Sequence, residues 1–333
     1  MYKGVHDPMT NPVPIFIQVI LPLALVWGVG YLGRRVLKLD PQPFARAGLY
    51  LLTPTVIFVT LMESKITLAE GGRIVLVVVL LATAMWFLSW LQARLLRLSP
   101  EDASAFQLTS IFINAVNYGF PAILLALGQE GLERAAFFAV GHALLSNTAG
   151  AFIAARGRAG SLKQTLLQVL RIPMLYAVVL ALVLRATGLS MSTPFSIGGM
   201  QIALLASVYQ AVRMLSQAAV PIFMLVLGMQ LGGNNGQEAS AGRGPLGAMV
   251  LAGVNRLIVS PLLAWGLVQL IGLEGVTGRA TIMEAAMPSA VLIVILAIEF
   301  DTRPRFVSAV VVGTTLASMV TLTILLSLWG VGV

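Results

Sequence analysis

Two short stretches of this chain gather residue types suited to holding a small polar molecule. The first is Asn114-Ala-Val-Asn117-Tyr118-Gly119-Phe120-Pro121, two carboxamides and a phenol ahead of a proline. The second is Glu284-Ala-Ala-Met287-Pro288-Ser289, a carboxyl and a hydroxyl around another proline. Proline has no N–H for the carbonyl four residues back and pushes the residue before it out of α geometry. Each stretch therefore predicts a broken helix, the first with its break at Gly119-Phe120-Pro121. Each proline is suited to begin a new half-helix. If both half-helices face one point, two N-termini of about +0.5 charge each converge there, an arrangement that favours an anion. For either proline alone a simple kink is the alternative reading.

The elements that position these stretches follow from hydropathy. Hydrophobic residues make up 58% of the 333 and charged ones only 10%, against about 25% charge in a soluble domain. Apolar runs of roughly 20 residues, enough to cross a hydrocarbon core of about 30 Å, recur along the whole chain. The fold class expected is an all-α polytopic membrane protein, with the lipid bilayer as its surroundings. Ten helices are predicted at about 14–33, 47–63, 73–93, 105–127, 134–155, 172–188, 205–231, 246–272, 279–299 and 306–331. Ser190 to Arg213 predicts an interfacial helix leading into the seventh span, and the Gly/Asn/Ser-rich Gly232 to Gly244 a flexible loop.

There is no cysteine, which excludes disulfides, thiolate catalysis and cysteine-ligated metals. His6 and His142 are too few for a histidine metal site, and the sequence calls for no cofactor. The net charge of +8 does not indicate nucleic acid, because Lys and Arg sit in short loops between helices. Thirteen of them follow odd-numbered helices and seven lie on the opposite side. This bias predicts a cell-membrane protein, cytoplasmic or inner, with both termini outside. The stretch Pro14 to Leu32 is followed, not preceded, by Arg34, Arg35 and Lys38, so it reads as a retained first helix rather than a signal peptide.

Prolines also suggest an internal repeat. Pro54 and Pro221 are 167 residues apart, as are Pro121 and Pro288, and Met62 meets Met229 and Thr148 meets Thr315 at that offset. The expected units are 1–158 and 159–333, each of five helices; an odd number makes successive copies enter from opposite sides, so the repeats are inverted. The two breaks then fall on the fourth and ninth helices. Pro288, nine residues after Arg279, lies about 13.5 Å deep, near the bilayer midplane.

In these motifs the chain resembles the auxin efflux carrier family, which includes PIN-type carriers and bacterial malate and malonate permeases. The resemblance rests on Asn114-x4-Gly119-x-Pro121, the exit Leu127-Gly128-Gln129-Glu130-Gly131, Pro288, Glu299-Phe300-x3-Pro304, Ser308, Thr314-Thr315-x2-Ser318, and Pro221 with Gly228. It implies a scaffold of helices one, two, six and seven, a transport unit of helices three to five and eight to ten, a crossing of helices four and nine, elevator-type alternating access, and a homodimer. PIN-type carriers have glutamine after the ninth-helix proline where this chain has Ser289, and their long central loop is missing here. A small carboxylate such as malate or malonate is therefore a better expectation than auxin. The residues expected to bind it are Asn114, Asn117, Tyr118, Gly119, Pro121, Asn147, Pro288 and Ser289.

Among the acidic residues, only Glu284 lies away from predicted loops and helix ends. An acid inside the membrane is a functional hypothesis by default, here a proton carrier for coupling. The alternative is a carboxylate near the outer interface, hydrated or paired with Arg279. Arg256, within the eighth helix, could counter the substrate's charge, pair with a neighbour or snorkel outward. His142 reads as a helix–helix hydrogen bond. A sodium-coupled bile-acid-type symporter, which shares broken crossing helices, is the second transport reading. A membrane enzyme lacks support, since no His/Glu metal pair, deep Asp dyad or Ser–His arrangement beyond a lone histidine is present.

The orientation is testable. Single cysteines introduced near Lys3 and at Val333 are expected to react with an impermeant thiol reagent in intact cells, and one at Gly236 to stay unlabelled. The reverse pattern would overturn the assignment.

Overall fold

A computed structural model describes residues 12–155, 172–187, 195–197, 200–202, 204–233 and 244–329. The expectations for the two termini and for most of the Gly232–Gly244 loop lie outside these residues. The described elements are helices α1 (Pro12–Arg35), α2 (Pro41–Glu63), α3 (Leu68–Leu95), α4 (Pro100–Ile111), α5 (Ala115–Ala154) and α6 (Pro173–Ala186). After strands β1 (Phe195–Ile197) and β2 (Met200–Ile202) come α7 (Leu204–Leu231), α8 (Leu246–Ile271), α9 (Gly275–Ala285), α10 (Leu292–Glu299) and α11 (Pro304–Leu328). Seven of them, α1, α2, α3, α5, α7, α8 and α11, are long and apolar enough to cross a membrane. Leu25, Val29, Leu262 and Leu270 are among many large apolar side chains left on the outside, as a lipid solvent requires.

Helix starts are set by caps rather than by hydropathy. Asp40 accepts from the Gln42 N–H ahead of Pro41, Thr67 from the Glu70 N–H, and Ser99 from the Asp102 N–H ahead of Pro100. Such caps satisfy donors that the first helical turn leaves free. α2, α3 and α4 thus begin a turn or more before the apolar runs that predicted them, because the first turn carries polar residues. The interfacial helix expected over Ser190 to Arg213 is replaced by an antiparallel hairpin of β1 and β2 and the start of α7 at Leu204.

Prolines act on this fold by widening helices. Four π-helical turns, Phe16–Ile20, Gly48–Leu52, Ala115–Gly119 and Asn255–Val259, come directly before Pro22, Pro54, Pro121 and Pro261. In each, the residue preceding proline bonds back five residues instead of four: Leu21 to Phe16, Thr53 to Gly48, Phe120 to Ala115, Ser260 to Asn255. The proline ring crowds the carbonyl four residues back, and opening the turn by one residue relieves that crowding. The helix continues and its faces are rotated. Pro221 differs, lying inside α7 without such a turn.

α1 and α7 pack backbone against backbone. A Cβ on Gly228 would overlap the Trp27 carbonyl, and one on Gly30 the Leu225 carbonyl. Small residues let backbones approach where lipid offers no hydrophobic drive between helices. Gly228→Ala is therefore expected to cost about 1–3 kcal/mol. Gly28→Ala, whose Cβ would meet nothing within 4 Å, should be neutral or stabilise by up to about 1 kcal/mol. Thermal unfolding in detergent compares the two, and equal losses would contradict this packing.

Candidate functional site

α4 and α9 each stop part-way through a membrane thickness. Their 12 and 11 residues span roughly 16–18 Å, about half of a 30 Å core. Beyond each end the chain runs extended, and Ile113 and Ser289 form an antiparallel bridge. The Asn114 N–H donates to the Pro288 carbonyl (2.9 Å) and the Ala290 N–H to the Phe112 carbonyl (3.0 Å). After this crossing α5 begins at Ala115 and α10 at Leu292.

Side chains satisfy the remaining backbone groups. His142 Nε2 accepts from the Ile113 N–H (2.9 Å), Ser289 Oγ donates to the Thr109 carbonyl (2.7 Å), and Thr314 Oγ1 accepts from the Ser289 N–H (3.2 Å). The Arg256 guanidinium, fully buried, donates to the carbonyls of Ser110 (3.3 Å), Ile111 (2.8 Å) and Ala285 (2.7 Å) and to the Ser260 hydroxyl. It stitches the C-terminal ends of α4 and α9 together, neither snorkelling nor facing the cavity. Next to it Asn255 and Gln92 exchange amide hydrogen bonds between α8 and α3.

On the other side of the crossing lies a cavity of about 180 Å³, lined by residues 113–117 at the start of α5 and 290–292 at the start of α10. Thr53 of α2, His142, Ser146 and Asn147 of α5, and Gln230 of α7 complete the polar part of its wall. Among the described residues no charged side chain lines it. A wider space of about 440 Å³ adjoins it, sharing Ala45, Leu49, Gln230, Val291 and Ile295 and adding Arg46 and Glu299.

Of the residues expected to bind substrate, Asn114, Asn117 and Asn147 line this cavity. The Asn114 side chain is buried, and its Nδ2 has no hydrogen-bond partner. Asn147 sits on a π-helical turn (Ser146–Gly150) and donates from Nδ2 to the Ala143 carbonyl (2.8 Å). Tyr118 turns away, hydrogen-bonded to Ser318 (2.8 Å) and packed on Trp27 with ring centroids 4.8 Å apart. The Ser289 hydroxyl is consumed by Thr109, and Pro288 acts through its carbonyl. Pro121 sits in the first turn of the α-helix that follows the widened turn, and the chain breaks at Phe112–Asn114, well before it. Pro288 lies in the extended segment and does not begin the half-helix, which starts four residues later.

Glu284 also stands off the cavity. It is fully buried in the last turn of α9, and neither carboxyl oxygen has a hydrogen-bond partner. Its full burial sets it apart from an exposed interfacial carboxylate, and Arg279 is exposed and forms no ion pair with it among the described residues. A Cβ on Gly119 would stand 2.5 Å from one of its oxygens and 2.7 Å from the other, so glycine leaves the room the carboxyl occupies. The polar partners Thr109 and Ser260 escaped the sequence reading, and Thr314 entered it only as part of a motif. Their signal was small hydroxyl residues at mid-depth in apolar helices, which serve structural bonds as often as sites.

Gly119→Ala is expected to cost about 1–3 kcal/mol through this clash. Adding Glu284→Ala should recover about 1 kcal/mol or more relative to the sum of the single losses. A thermal double-mutant cycle measures this, and additive losses would mean that the glycine and the carboxyl do not meet.

Residues 15–326 match the family described as membrane transport protein. An uncharacterized transporter of Methanothermobacter thermautotrophicus is 27% identical over 305 residues, covering 91% of each chain. Another, MJ1031 of Methanocaldococcus jannaschii, is 25% identical over 285 residues, 85% of this chain and 86% of the relative. Together with the apolar helices, the match makes this a multi-pass membrane transporter, and the chain belongs to the membrane transport protein family, that of the auxin efflux carriers.

Proposed function

We propose that this chain is a secondary active transporter of a small organic anion, a carboxylate of the size of malate or malonate, and that the crossing cavity is its binding site. One observation carries the reading: the N-terminal turns of α5 and α10 border the same cavity, and the buried, unpartnered Asn114 Nδ2 stands among them. The first N–H groups of a helix have no partner within it and carry its positive dipole end. An anion can take up these donors without a protein cation, as at helix termini elsewhere. A volume near 180 Å³ suits a molecule of a few to about ten heavy atoms, a little larger than a benzene-sized cavity of about 150 Å³.

In this reading the chain is two inverted five-helix repeats of ten spans, with α4 and the start of α5 forming the fourth and α9 with α10 the ninth. Gly128, non-helical at φ +67° and ψ −164° within α5, supplies the boundary between fourth and fifth spans. The cavity wall joins α2, α6 and α7 to the broken pair and α5, the seam along which a transport unit slides past a scaffold in an elevator. Its wide side, near Pro41 and Glu299, lies toward the loops that the charge bias assigns to the cytoplasm, so this conformation faces inward. Glu284, buried beside the crossing, is the proton-carrying group of this scheme, and a homodimer is the assembly it implies.

Two variants test it in proteoliposomes with a radiolabelled carboxylate. Asn114→Ala is expected to weaken binding by about 1.5–3 kcal/mol, a factor of roughly 10 to 150, while the protein still folds. Glu284→Gln should retain binding and flatten the pH dependence of uptake, because one titrating group has left the cycle. Unchanged affinity in Asn114→Ala would move the site away from the crossing, and Glu284→Gln protein that still accumulates substrate on a pH difference alone would end the coupling role.

A further inference from the structure

The two ends of each break carry opposite partial charge, and only one pair borders the cavity. The N-termini of α5 and α10 face it, whereas the C-termini of α4 and α9 meet behind it, around Arg256. Convergent carbonyls at half-helix C-termini are the kind of oxygen cage that takes sodium in ion-coupled carriers. Here such a cage exists: the carbonyls of Ser110, Ile111 and Ala285 and the hydroxyl of Ser260, with Ser260 Oγ also donating to the Ala285 carbonyl (2.9 Å). A covalently attached cation is already in it.

We infer that the Arg256 guanidinium is a tethered stand-in for an alkali cation, holding the two half-helix C-termini together and closing this cage to free ions. The inference rests on the transport reading for its consequence, not for its geometry. Arg256 comes from the widened turn Asn255–Val259 of α8 and is fully buried. Its charge offsets the negative ends of two helix dipoles, and its planar fork of donors reaches carbonyls on two different helices at once. A sodium ion in the same cage would sit within contact distance of a fixed positive charge and lose the carbonyl oxygens that guanidinium already engages. The Glu284 carboxyl, turned to Gly119, is not among those oxygens. Since Arg256 cannot leave, its charge stays constant through a transport cycle, and this cage contributes no exchangeable ion to it.

Thermal unfolding of the purified full-length protein tests this without any substrate. The wild type is expected to melt at the same temperature in sodium, potassium and choline chloride. Arg256→Ala should melt lower by roughly 6–10 °C, as for loss of a buried charged hydrogen-bonding group, and millimolar guanidinium chloride should return at least half of that loss. Arg256→Lys, which keeps a tethered cation, should fall between the two. A saturable rise in wild-type melting temperature with sodium but not potassium or choline would overturn the inference, and so would Arg256→Ala protein that gains nothing from any small cation. If Arg256→Ala does not fold, the wild-type sodium titration and Arg256→Lys decide alone. Failure of every carboxylate to be taken up would instead strike the substrate assignment and leave these cation results standing.

Discussion

A helix interrupted inside a membrane has to find a partner for every backbone group the interruption frees, because lipid supplies none. Much of what is specific about this molecule answers that constraint. Between Thr109 and Asn114 the freed groups pair with the opposite break, with the imidazole of His142, with the Ser289 hydroxyl and with the Arg256 guanidinium. On the other strand Ala285 and Ser289 are served by Arg256, Ser260 and Thr314. His142, Arg256, Ser260 and Thr314, polar residues in otherwise apolar helices, are spent on these pairings.

The distribution of charge follows from it. Broken helices expose positive and negative ends in the interior, and this fold neutralises the negative pair with one buried arginine while leaving the positive pair beside a cavity lined by carboxamides and alanines. Such a site needs no cationic side chain to hold an anion. The pairing of extended segments also fixes the two N-termini relative to each other, which gives the cavity a defined shape rather than that of a gap between sliding helices.

Composition and the positions of apolar runs made the membrane class legible in the sequence, short motifs such as Asn114-x4-Gly119-x-Pro121 carried the family resemblance, and the paired prolines drew attention to the two regions that cross. Of the residues singled out in the sequence, Asn114, Asn117 and Asn147 line the candidate cavity, whereas Tyr118, Ser289 and Pro121 do not. The reason is physical. Proline was read as a breaker, whereas here it widens the preceding turn, and that rotation carries Tyr118 toward Ser318 and Trp27 and away from the cavity. The place where the chain breaks is decided by pairing between segments about 175 residues apart, Ile113 with Ser289, a long-range event that local propensity does not encode. The same holds for Arg256, whose carbonyl partners come from α4 and α9, with only the Ser260 hydroxyl supplied by its own helix.

The central claim is that the cavity at the crossing binds a small carboxylate. Its most direct test is the melting temperature of the purified protein titrated with small mono- and dicarboxylates and with their neutral amides. The protein is compared with Ala143→Phe, which fills the cavity from α5. The account predicts that at least one carboxylate stabilises the wild type, by about 2.7 kcal/mol at 100 times its dissociation constant, that its amide does not, and that Ala143→Phe abolishes the effect while remaining folded. Equal stabilisation of the filled variant, or by the neutral amide, would contradict it.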